Sequence, residues 1–244
     1  MVISTSEIME AIRDVAYLVY YQPKVDAKTE EIVGYEALVR LQTKKGILAP
    51  AEFFREVVHL YAARDMQHFV LSTVMKQIDE LEGKYPISVN IPSGDVTNDA
   101  YMDALYEQVK KDMRYPEALN LEIVERLEIT RLEAACHNLM KLKSLGVKVS
   151  LDDFGQGYSS LSYLQSLPVD YVKTDRSSIS LIKTNERQRI ILRAIINLSH
   201  DLGCLVVVEG VEDEKEIAIL RAMSVDYFQG YYFGRPKPIN KRNL

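Results

Sequence analysis

Residues 147–175 read VKVSLDDFGQGYSSLSYLQSLPVDYVKTD and contain the clearest indication of the fold. It begins with a strand-like run, Val147–Asp152, passes through a glycine-containing turn into a helix-like segment, and ends in a second strand-like run, Tyr171–Thr174. A helix between two strands carries the chain back along the sheet, so the two strands are expected to be parallel. The stretch therefore predicts one β-strand–helix–β-strand unit.

The same alternation of strand and helix patterns continues along most of the chain. Between most of the strand-like runs, apolar residues recur at helical spacing, as at Phe69–Leu81 and Ile190–Leu198. Eight strands in 244 residues give about 30 residues per unit, the size of a βα repeat. We predict a mostly parallel α/β sheet in a single domain over residues 1–244, a length that suits one closed barrel. The remaining strand-like runs are Leu18–Tyr21, Ile32–Arg40, Ile87–Ile91, Leu119–Val124, Leu205–Glu209 and Tyr227–Phe233.

The first connection differs from the others. Residues Val25 to Glu31 form a short polar stretch that is too short to contain a helix. We therefore expect the strands on either side of it, which contain Tyr21 and Ile32, to be antiparallel neighbours.

Composition and charge exclude several classes of protein. Hydrophobic residues make up 47% of the chain and charged residues 27%, which is typical of a folded domain. No apolar run is long enough to cross a membrane, and residues 1–14 lack the apolar segment of a signal peptide. The net charge of −5 argues against nonspecific DNA binding. We expect a cytoplasmic protein with no DNA partner and no membrane insertion, in which Cys136 and Cys204 are reduced thiols.

Polar residues interrupt the apolar strands near their C-terminal ends. Alternate residues of a strand share one face, as Asn120 and Glu122 do, while neighbours such as Leu121 are apolar and should face the helices. In a barrel the polar face is the interior, and the C-terminal ends of the strands form the active-site end. The polar residues at or just after these strand ends are Glu36, Asn90, Glu122, Asp152, Asp153, Lys173, Glu209 and Gln229.

Converging carboxylates require cations, because buried charges need partners. The side chains of Glu36, Glu122, Asp152, Asp153 and Glu209 carry −5 together, which two divalent ions and Lys173 would balance. Carboxylates with an amide oxygen suit magnesium or manganese. A zinc site is not expected, because there is no thiol cluster and the four histidines fall in helical segments.

Two short motifs near residue 155 point to other functions and are set aside. Residues 155–160, GQGYSS, imitate a dinucleotide-binding turn, but serine replaces the third glycine and two aspartates would face the pyrophosphate. Residues 153–155, DFG, match a kinase tripeptide without the other kinase motifs.

The constellation resembles the EAL domain family of cyclic di-GMP phosphodiesterases. The resemblance extends from Tyr21-Gln22-Pro23 to Gly234-Arg235-Pro236, and its separate motifs occur in order at the family's spacings. The naming motif is Glu36-Ala37-Leu38-Val39-Arg40. The others are Val89-Asn90, Leu121-Glu122-Ile123-Val124-Glu125, Asp152-Asp153-Phe154-Gly155, Gly157-Tyr158-Ser159-Ser160-Leu161, Val172-Lys173-Thr174-Asp175-Arg176, Glu209-Gly210-Val211-Glu212 and Gln229-Gly230-Tyr231-Tyr232-Phe233.

The resemblance implies a TIM-like (β/α)8 barrel variant with one antiparallel strand, with a motif-bearing core at about residues 18–238. It implies hydrolysis of cyclic di-GMP to linear 5′-pGpG with two Mg²⁺ or Mn²⁺ ions, inhibition by Ca²⁺, and a homodimer. Lys173 would orient the attacking water, Glu209 would act as general base or orienting carboxylate, and Glu125 would brace the loop after Asp153. The implied metal ligands are Glu36, Asn90, Glu122, Asp152 and Asp153. The implied substrate-side residues are Gln22, Arg40, Asn90, Asp153 and Gln229.

The chain departs from the family pattern away from the implied ligands. The departures are Leu41, Gln67, Gln156, Ser178 and the segment Val57-Val58-His59. They leave two alternatives to an active phosphodiesterase: a catalytically weak or silent cyclic di-GMP receptor or protein-binding regulator, and another barrel phosphohydrolase. No sensory or synthase segment is recognised, so we expect regulation by expression, partners or assembly.

Overall fold

The structure is a computed structural model that describes residues 3–124, 129, 131–155 and 160–239. In this part of the chain, eight strands close into a barrel surrounded by helices, and one further strand extends the sheet. The TIM-like barrel expected from the sequence is confirmed. The single-domain organisation of residues 1–244 stays a prediction.

The elements alternate along the chain with the expected rhythm. The strands are β1 Tyr17–Asp26, β2 Ile32–Thr43, β3 Gly46–Leu48, β4 Ile87–Pro92, β5 Leu119–Val124, β6 Lys148–Leu151, β7 Tyr171–Thr174, β8 Leu205–Val208 and β9 Tyr227–Gln229. The α-helices are α1 Thr5–Arg13, α2 Pro50–His59, α3 Ala63–Glu80, α4 Ser93–Val96, α5 Asp99–Asp112, α6 Leu132–Lys143, α7 Ser160–Ser166, α8 Glu186–Asp201 and α9 Glu214–Arg221.

The barrel closes through its one antiparallel strand. β1 pairs antiparallel with both β2 and β9, whereas the other barrel strands pair in parallel. The antiparallel first pair is therefore confirmed, although β1 continues to Asp26 and leaves only residues 27–31 for the connection. The carboxylate of Asp26 accepts hydrogen bonds from the backbone N–H groups of Lys28 and Thr29, which stabilises this tight turn.

Three elements differ from the sequence expectation. Helix α1 was not foreseen, although Ser4 and Glu7 form a capping box at its start. The short strand β3 forms an antiparallel hairpin with the end of β2. The last strand stops at Gln229 rather than reaching Phe233, because the chain turns at Gly230, where the backbone of Val211 approaches closely.

The two faces of the strands divide as the alternation predicts. Leu121, Ile123 and Val172 belong to the apolar core beneath the helices. On the interior face, Asn120 donates hydrogen bonds to the hydroxyl groups of Ser88 and Ser150, at 3.1 and 2.7 Å. The polar face of the sheet is therefore the inside of the barrel.

The histidines and cysteines lie where the sequence pattern predicts them. His59, His68, His137 and His200 all lie in helices, as expected. Both cysteines are free thiols. Among the residues described, no helix is both long and apolar enough to cross a membrane.

Candidate active site

Lys173 of β7 lies at the centre of a cluster of buried carboxylates. Its ammonium nitrogen is 2.6 Å from Glu122 Oε2 and 2.5 Å from Glu209 Oε1, with Asp152 Oδ1 at 3.3 Å and Glu36 Oε2 at 3.7 Å. These four acids come from β2, from β5, and from the positions directly after β6 and β8. The barrel thus brings together residues that are up to 173 positions apart in the sequence (from Glu36 to Glu209).

Glu36 of β2 is held by two side-chain amides, one from β4 and one from β9. Asn90 Nδ2 donates to Glu36 Oε1 at 2.9 Å, and Gln229 Nε2 donates to Glu36 Oε2 at 2.5 Å. Gln229 also lies 3.3 Å from Gln22 Oε1, and Gln22 donates to the carbonyl of Gly234. The amides therefore fix the orientation of Glu36 at the rim of the carboxylate cluster.

Lys24 of β1 is a member of this cluster that is not among the site residues predicted from the sequence. It lies in the barrel interior, and its ammonium nitrogen is 2.5 Å from Glu122 Oε1. The available signal was its position two residues after Gln22, which places both side chains on the same face of the strand.

Charge pairing keeps Glu122 ionised although it is completely buried. Burial alone would raise the pKa of Glu122, but the ammonium groups of Lys173 and Lys24 outweigh that effect and hold the pKa at about 2. Burial likewise lowers the pKa of Lys173, and the four surrounding carboxylates overcome it and raise that pKa well above its usual value. Both groups are therefore charged at neutral pH.

Asp152 and Glu209 behave differently because the two lysines do not neutralise all of the acids. Burial is the main cause that raises the pKa of Asp152 to about 6 and that of Glu209 to about 8, against the opposing effect of Lys173. Repulsion from the neighbouring carboxylates adds to both increases. The cluster is short of positive charge.

The donor atoms fit divalent cations. Asp152 Oδ1 and Glu209 Oε1 are buried without a hydrogen bond of acceptable geometry, although Lys173 lies close to both. Within the residues described, no three His, Cys, Asp or Glu side chains already form a closed coordination group. The ammonium of Lys173 lies between the carboxylate groups and keeps them apart. Oxygen donors in a cluster with excess negative charge suit hard cations such as Mg²⁺ and Mn²⁺.

The loop after β6 holds its aspartates by backbone contacts. Asp152 N–H donates to the carbonyl of Ile123, and Phe154 N–H donates to the carbonyl of Lys173. Asp153, between them, has a φ of +54°, a conformation that costs energy for a residue other than glycine. Asp153 follows Asp152 directly in this strained turn, and its charge contributes to the repulsion that raises the pKa of Asp152.

An open cavity of about 210 Å³ lies next to the cluster. Gln22, Glu209 and Gln229 line it together with the rim residues Arg176, Glu212 and Tyr231. Arg176 pairs with Glu212 at 2.7 Å. A larger surface cavity of about 500 Å³ lies between α3 and α5, but none of the cluster residues lines it. The smaller cavity is the candidate substrate site because it adjoins the buried charges.

Arg40 lies apart from the carboxylates. Its guanidinium donates to the carbonyl of Val39 and lies 5.5 Å from the centre of the Tyr20 ring. Burial lowers the pKa of Arg40, although an arginine stays charged at any physiological pH. No described carboxylate forms an ion pair with Arg40, although the negative charges of Glu36 and Glu52 act on it.

Most of the departures from the family pattern have a structural role. Gln67 donates to the backbone carbonyl of Asn90 at 2.7 Å. Leu41 and Val57 are completely buried in the apolar cluster under α1 and α2. Ser178 donates to Asp175. Glu125 and Gln156 lie outside the residues that the structure describes.

The family model for the EAL domain matches residues 5–236. The chain belongs to the EAL domain family. A solved EAL domain protein from Listeria monocytogenes EGD-e is 58% identical, with a TM-score of 0.94 over 98% of this chain and 95% of that chain. The PaMucR phosphodiesterase, solved as a complex with c-di-GMP, is 28% identical with a TM-score of 0.84, covering 96% of each chain.

Curated relatives are longer than this EAL domain. The cyclic di-GMP phosphodiesterase NbdA of Pseudomonas aeruginosa is 32% identical over 96% of this chain and 30% of its own length. An uncharacterized signaling protein of Caulobacter vibrioides is 34% identical over 96% of this chain and 29% of its own length. The chain spans about a third of the curated relatives it matches, between 27% and 38%.

Proposed function

We propose that this EAL domain is a metal-dependent phosphodiesterase that hydrolyses cyclic di-GMP to linear 5′-pGpG. The observation that carries the proposal is the buried cluster of carboxylates around Lys173, which is short of positive charge and adjoins an open cavity. A receptor that only binds the nucleotide has no need for buried acids with raised pKa values.

Two divalent cations complete the proposed site. Glu36, Asn90, Glu122, Asp152 and Asp153 would hold them. Bound there, divalent cations would acidify water and neutralise phosphate charge. Adding positive charge would also favour the ionised forms of Asp152 and Glu209, whose pKa values are raised to about 6 and about 8.

The chain's own residues have distinct roles in this proposal. Lys173 orients the attacking water, because its ammonium is the cation shared by the buried acids. Glu209, 2.5 Å from Lys173 and lining the cavity, accepts a proton from that water or fixes its direction. Arg40 binds a phosphate oxygen of the substrate, since a guanidinium fork suits two oxygens. Gln22 and Gln229 line the cavity and lie within hydrogen-bonding distance of each other. In this proposal Gln22 contacts the substrate and Gln229 forms a hydrogen bond near the attacking water.

The relatives support the choice of substrate. NbdA is named as a cyclic di-GMP phosphodiesterase, and PaMucR is a phosphodiesterase solved with c-di-GMP. Because this chain corresponds to about a third of NbdA, only the EAL portion of that protein supports the comparison.

The decisive experiment is an assay of purified protein with cyclic di-GMP and Mg²⁺ or Mn²⁺, in which chromatography separates the products. We expect 5′-pGpG, its complete loss with a chelator, and its recovery when Mg²⁺ or Mn²⁺ is added back. Ca²⁺ should inhibit, because its larger and looser coordination spoils a compact site. Full activity in excess chelator would contradict the metal mechanism. Tight binding of cyclic di-GMP without product would favour the receptor.

We further propose that the protein acts as a homodimer through the surface of α7. Tyr163, Leu164 and Leu167 of this region are buried against the barrel, as ordinary helix packing requires. Leu161 is 64% exposed, and such an apolar residue at the start of the helix suits a self-complementary contact.

A further inference from the structure

Lys24 is a buried charge that the proposed chemistry leaves without a role. It lies on β1, and its ammonium donates to Glu122 Oε1 and to Ser88 Oγ, both at 2.5 Å. It does not line the cavity beside the site. A buried lysine is costly unless it is paired, so its position beneath the carboxylates requires an explanation.

The two oxygens of Glu122 are divided between two lysines. Lys24 binds Oε1, and Lys173 binds Oε2 at 2.6 Å. Lys173 also approaches Glu209 at 2.5 Å, so Glu122 and Glu209 share one ammonium. Any change in the orientation of Glu122 therefore changes how Lys173 is shared.

Polar side chains in the interior of the barrel hold Lys24 in place. Ser88 Oγ accepts hydrogen bonds from Lys24 and from Asn120, and Asn120 in turn bonds to Ser150. These polar contacts fix the ammonium of Lys24 at Oε1 of Glu122, whereas Lys173 binds Oε2.

We propose that Lys24 is a positioning residue that acts through Glu122, an inference that rests on the proposed metal-dependent function. By holding Oε1, Lys24 directs Oε2 toward the site and leaves the ammonium of Lys173 available to Glu209. Hydrogen-bonded partners behind a ligating carboxylate commonly orient it in this way.

The change Lys24→Met removes the partner of a completely buried oxygen. An unpaired buried acceptor is unfavourable, so Glu122 should turn both oxygens toward Lys173. That turn withdraws Lys173 from Glu209 and makes Oε2 less accessible to a cation. The positioning role therefore predicts weaker cation binding and slower turnover.

A purely electrostatic role predicts the opposite sign. With every group ionised, the five acids Glu36, Glu122, Asp152, Asp153 and Glu209 and the two lysines have a formal charge of −3, and removal of Lys24 makes this −4. If Lys24 acted only through its charge, Lys24→Met would bind divalent cations more tightly.

The test measures the Kd of Mn²⁺ by electron paramagnetic resonance for four proteins: wild type, Lys24→Met, Glu122→Gln and the double variant. We expect Lys24→Met to weaken Mn²⁺ binding by about tenfold or more, the usual effect of losing a partner behind a metal ligand. The double variant should bind Mn²⁺ about as weakly as Glu122→Gln, because Lys24 acts through that residue. The double variant also lacks the buried carboxylate that Lys24→Met leaves without its partner. It therefore gives a readout even if Lys24→Met alone folds poorly.

Lys143→Met is the matched control, because it removes a partly buried ion pair with Asp170. Asp170 directly precedes β7, so this pair lies at the opposite end of that strand from the site. It should change Mn²⁺ affinity less than about twofold, because substitutions away from a site have small effects. Steady-state assays should show that Lys24→Met lowers kcat about tenfold with little change in KM. The reason is that Lys24 orients Glu122, a proposed metal ligand, and does not line the cavity.

Unchanged or tighter Mn²⁺ binding by Lys24→Met would overturn the inference. The inference would also be overturned if the Kd of Mn²⁺ in the double variant changed by the product of the factors measured for the two single variants. If the wild type hydrolyses cyclic di-GMP and Lys24→Met is unaffected, only this inference fails. If the wild type binds no Mn²⁺, the proposed function fails and the inference fails with it.

Discussion

At the scale of single residues, Lys173 is the group on which the site depends. A buried ammonium is stable only where acids surround it, and four carboxylates lie within 4 Å of Lys173. The same contacts reduce the repulsion among those acids without removing it. Its structural and chemical roles are therefore inseparable in the metal-free protein.

Lys173→Ala should reduce turnover of cyclic di-GMP by about a hundredfold or more, because the attacking water loses the group that orients it. The metal-free variant should also melt at a lower temperature, since loss of one partner from a buried ion pair costs about 3–5 kcal/mol. Added Mn²⁺ should raise the Tm of the variant more than that of the wild type. Near-normal turnover by a folded Lys173→Ala protein would disprove the assigned role.

Glu209→Gln should become more stable relative to wild type as pH rises, when a chelator is present. The folded-state pKa of Glu209 is raised from 4.5 to about 8, so its stabilising effect is lost as pH rises through that range. The glutamine side chain of the variant cannot ionise and avoids the loss. The difference in Tm should widen between about pH 5 and pH 8 by on the order of 2–4 °C, the effect of about 1 kcal/mol in a domain of this size.

Below about pH 4, the same Tm difference should stay constant, because Glu209 is then largely protonated in both the folded and the unfolded state. A difference that is flat from about pH 5 to pH 8 would show that Glu209 ionises normally in the metal-free barrel.

At the scale of elements, the end of β9 is set by a close approach of backbone. A Cβ atom at Gly230 would lie 2.1 Å from the carbonyl oxygen of Val211, and the adjacent Gln229 holds Glu36. The glycine therefore permits the contact between the turn after β8 and the turn after β9, on which the position of Gln229 depends.

Gly230→Ala should destabilise the protein by about 1–3 kcal/mol, the usual range for overpacking, and should lower turnover because Gln229 moves with the turn. Gly94→Ala in α4 is the matched control. A Cβ at Gly94 meets nothing within 4 Å, so its effect should stay within about 0.5 kcal/mol. Thermal unfolding of both variants checks the pair, and equal Tm values would contradict the argument.

At the scale of the whole molecule, the barrel brings distant strand ends together and leaves some apolar residues on the outside. Leu161 of α7 and Ile190 and Ile191 of α8 are each more than half exposed. The helical spacing of residues 190–198 predicts an apolar face that includes Ile190 and Ile191. Ile195 and Leu198 of that face do pack against the core, beside the buried Leu192 and Ile196, whereas Ile190 and Ile191 are exposed. These exposed residues are available for assembly.

Leu161→Asp should shift the proposed homodimer toward monomer, because a carboxylate at an apolar interface is poorly solvated. Light scattering over a dilution series, with cyclic di-GMP and Ca²⁺ present to prevent turnover, measures the change. Leu202→Asp, an equally simple change at an exposed leucine beyond the end of α8, should leave the dimer intact. A wild-type protein that is monomeric at every concentration would exclude the dimer.

The amino-acid sequence is enough to predict the class of fold and most members of the candidate site. Alternating strand and helix patterns, the short first connection and the parity of pairs such as Asn120 and Glu122 depend only on local geometry, so they could be recognised without coordinates. The polar strand ends around Lys173 could be identified for the same reason. The family resemblance supplied their proposed roles.

How the buried charges are shared becomes visible only in the folded barrel. Lys24 is one polar residue in a strand that also contains Gln22, and nothing local indicates that its ammonium reaches Glu122, 98 positions away. The low pKa of Glu122 and the raised pKa of Glu209 likewise follow from burial and from neighbours on other strands. Local periodicity specifies which face a side chain is on, whereas electrostatic pairing depends on closure of the barrel, which brings distant strands within a few ångströms.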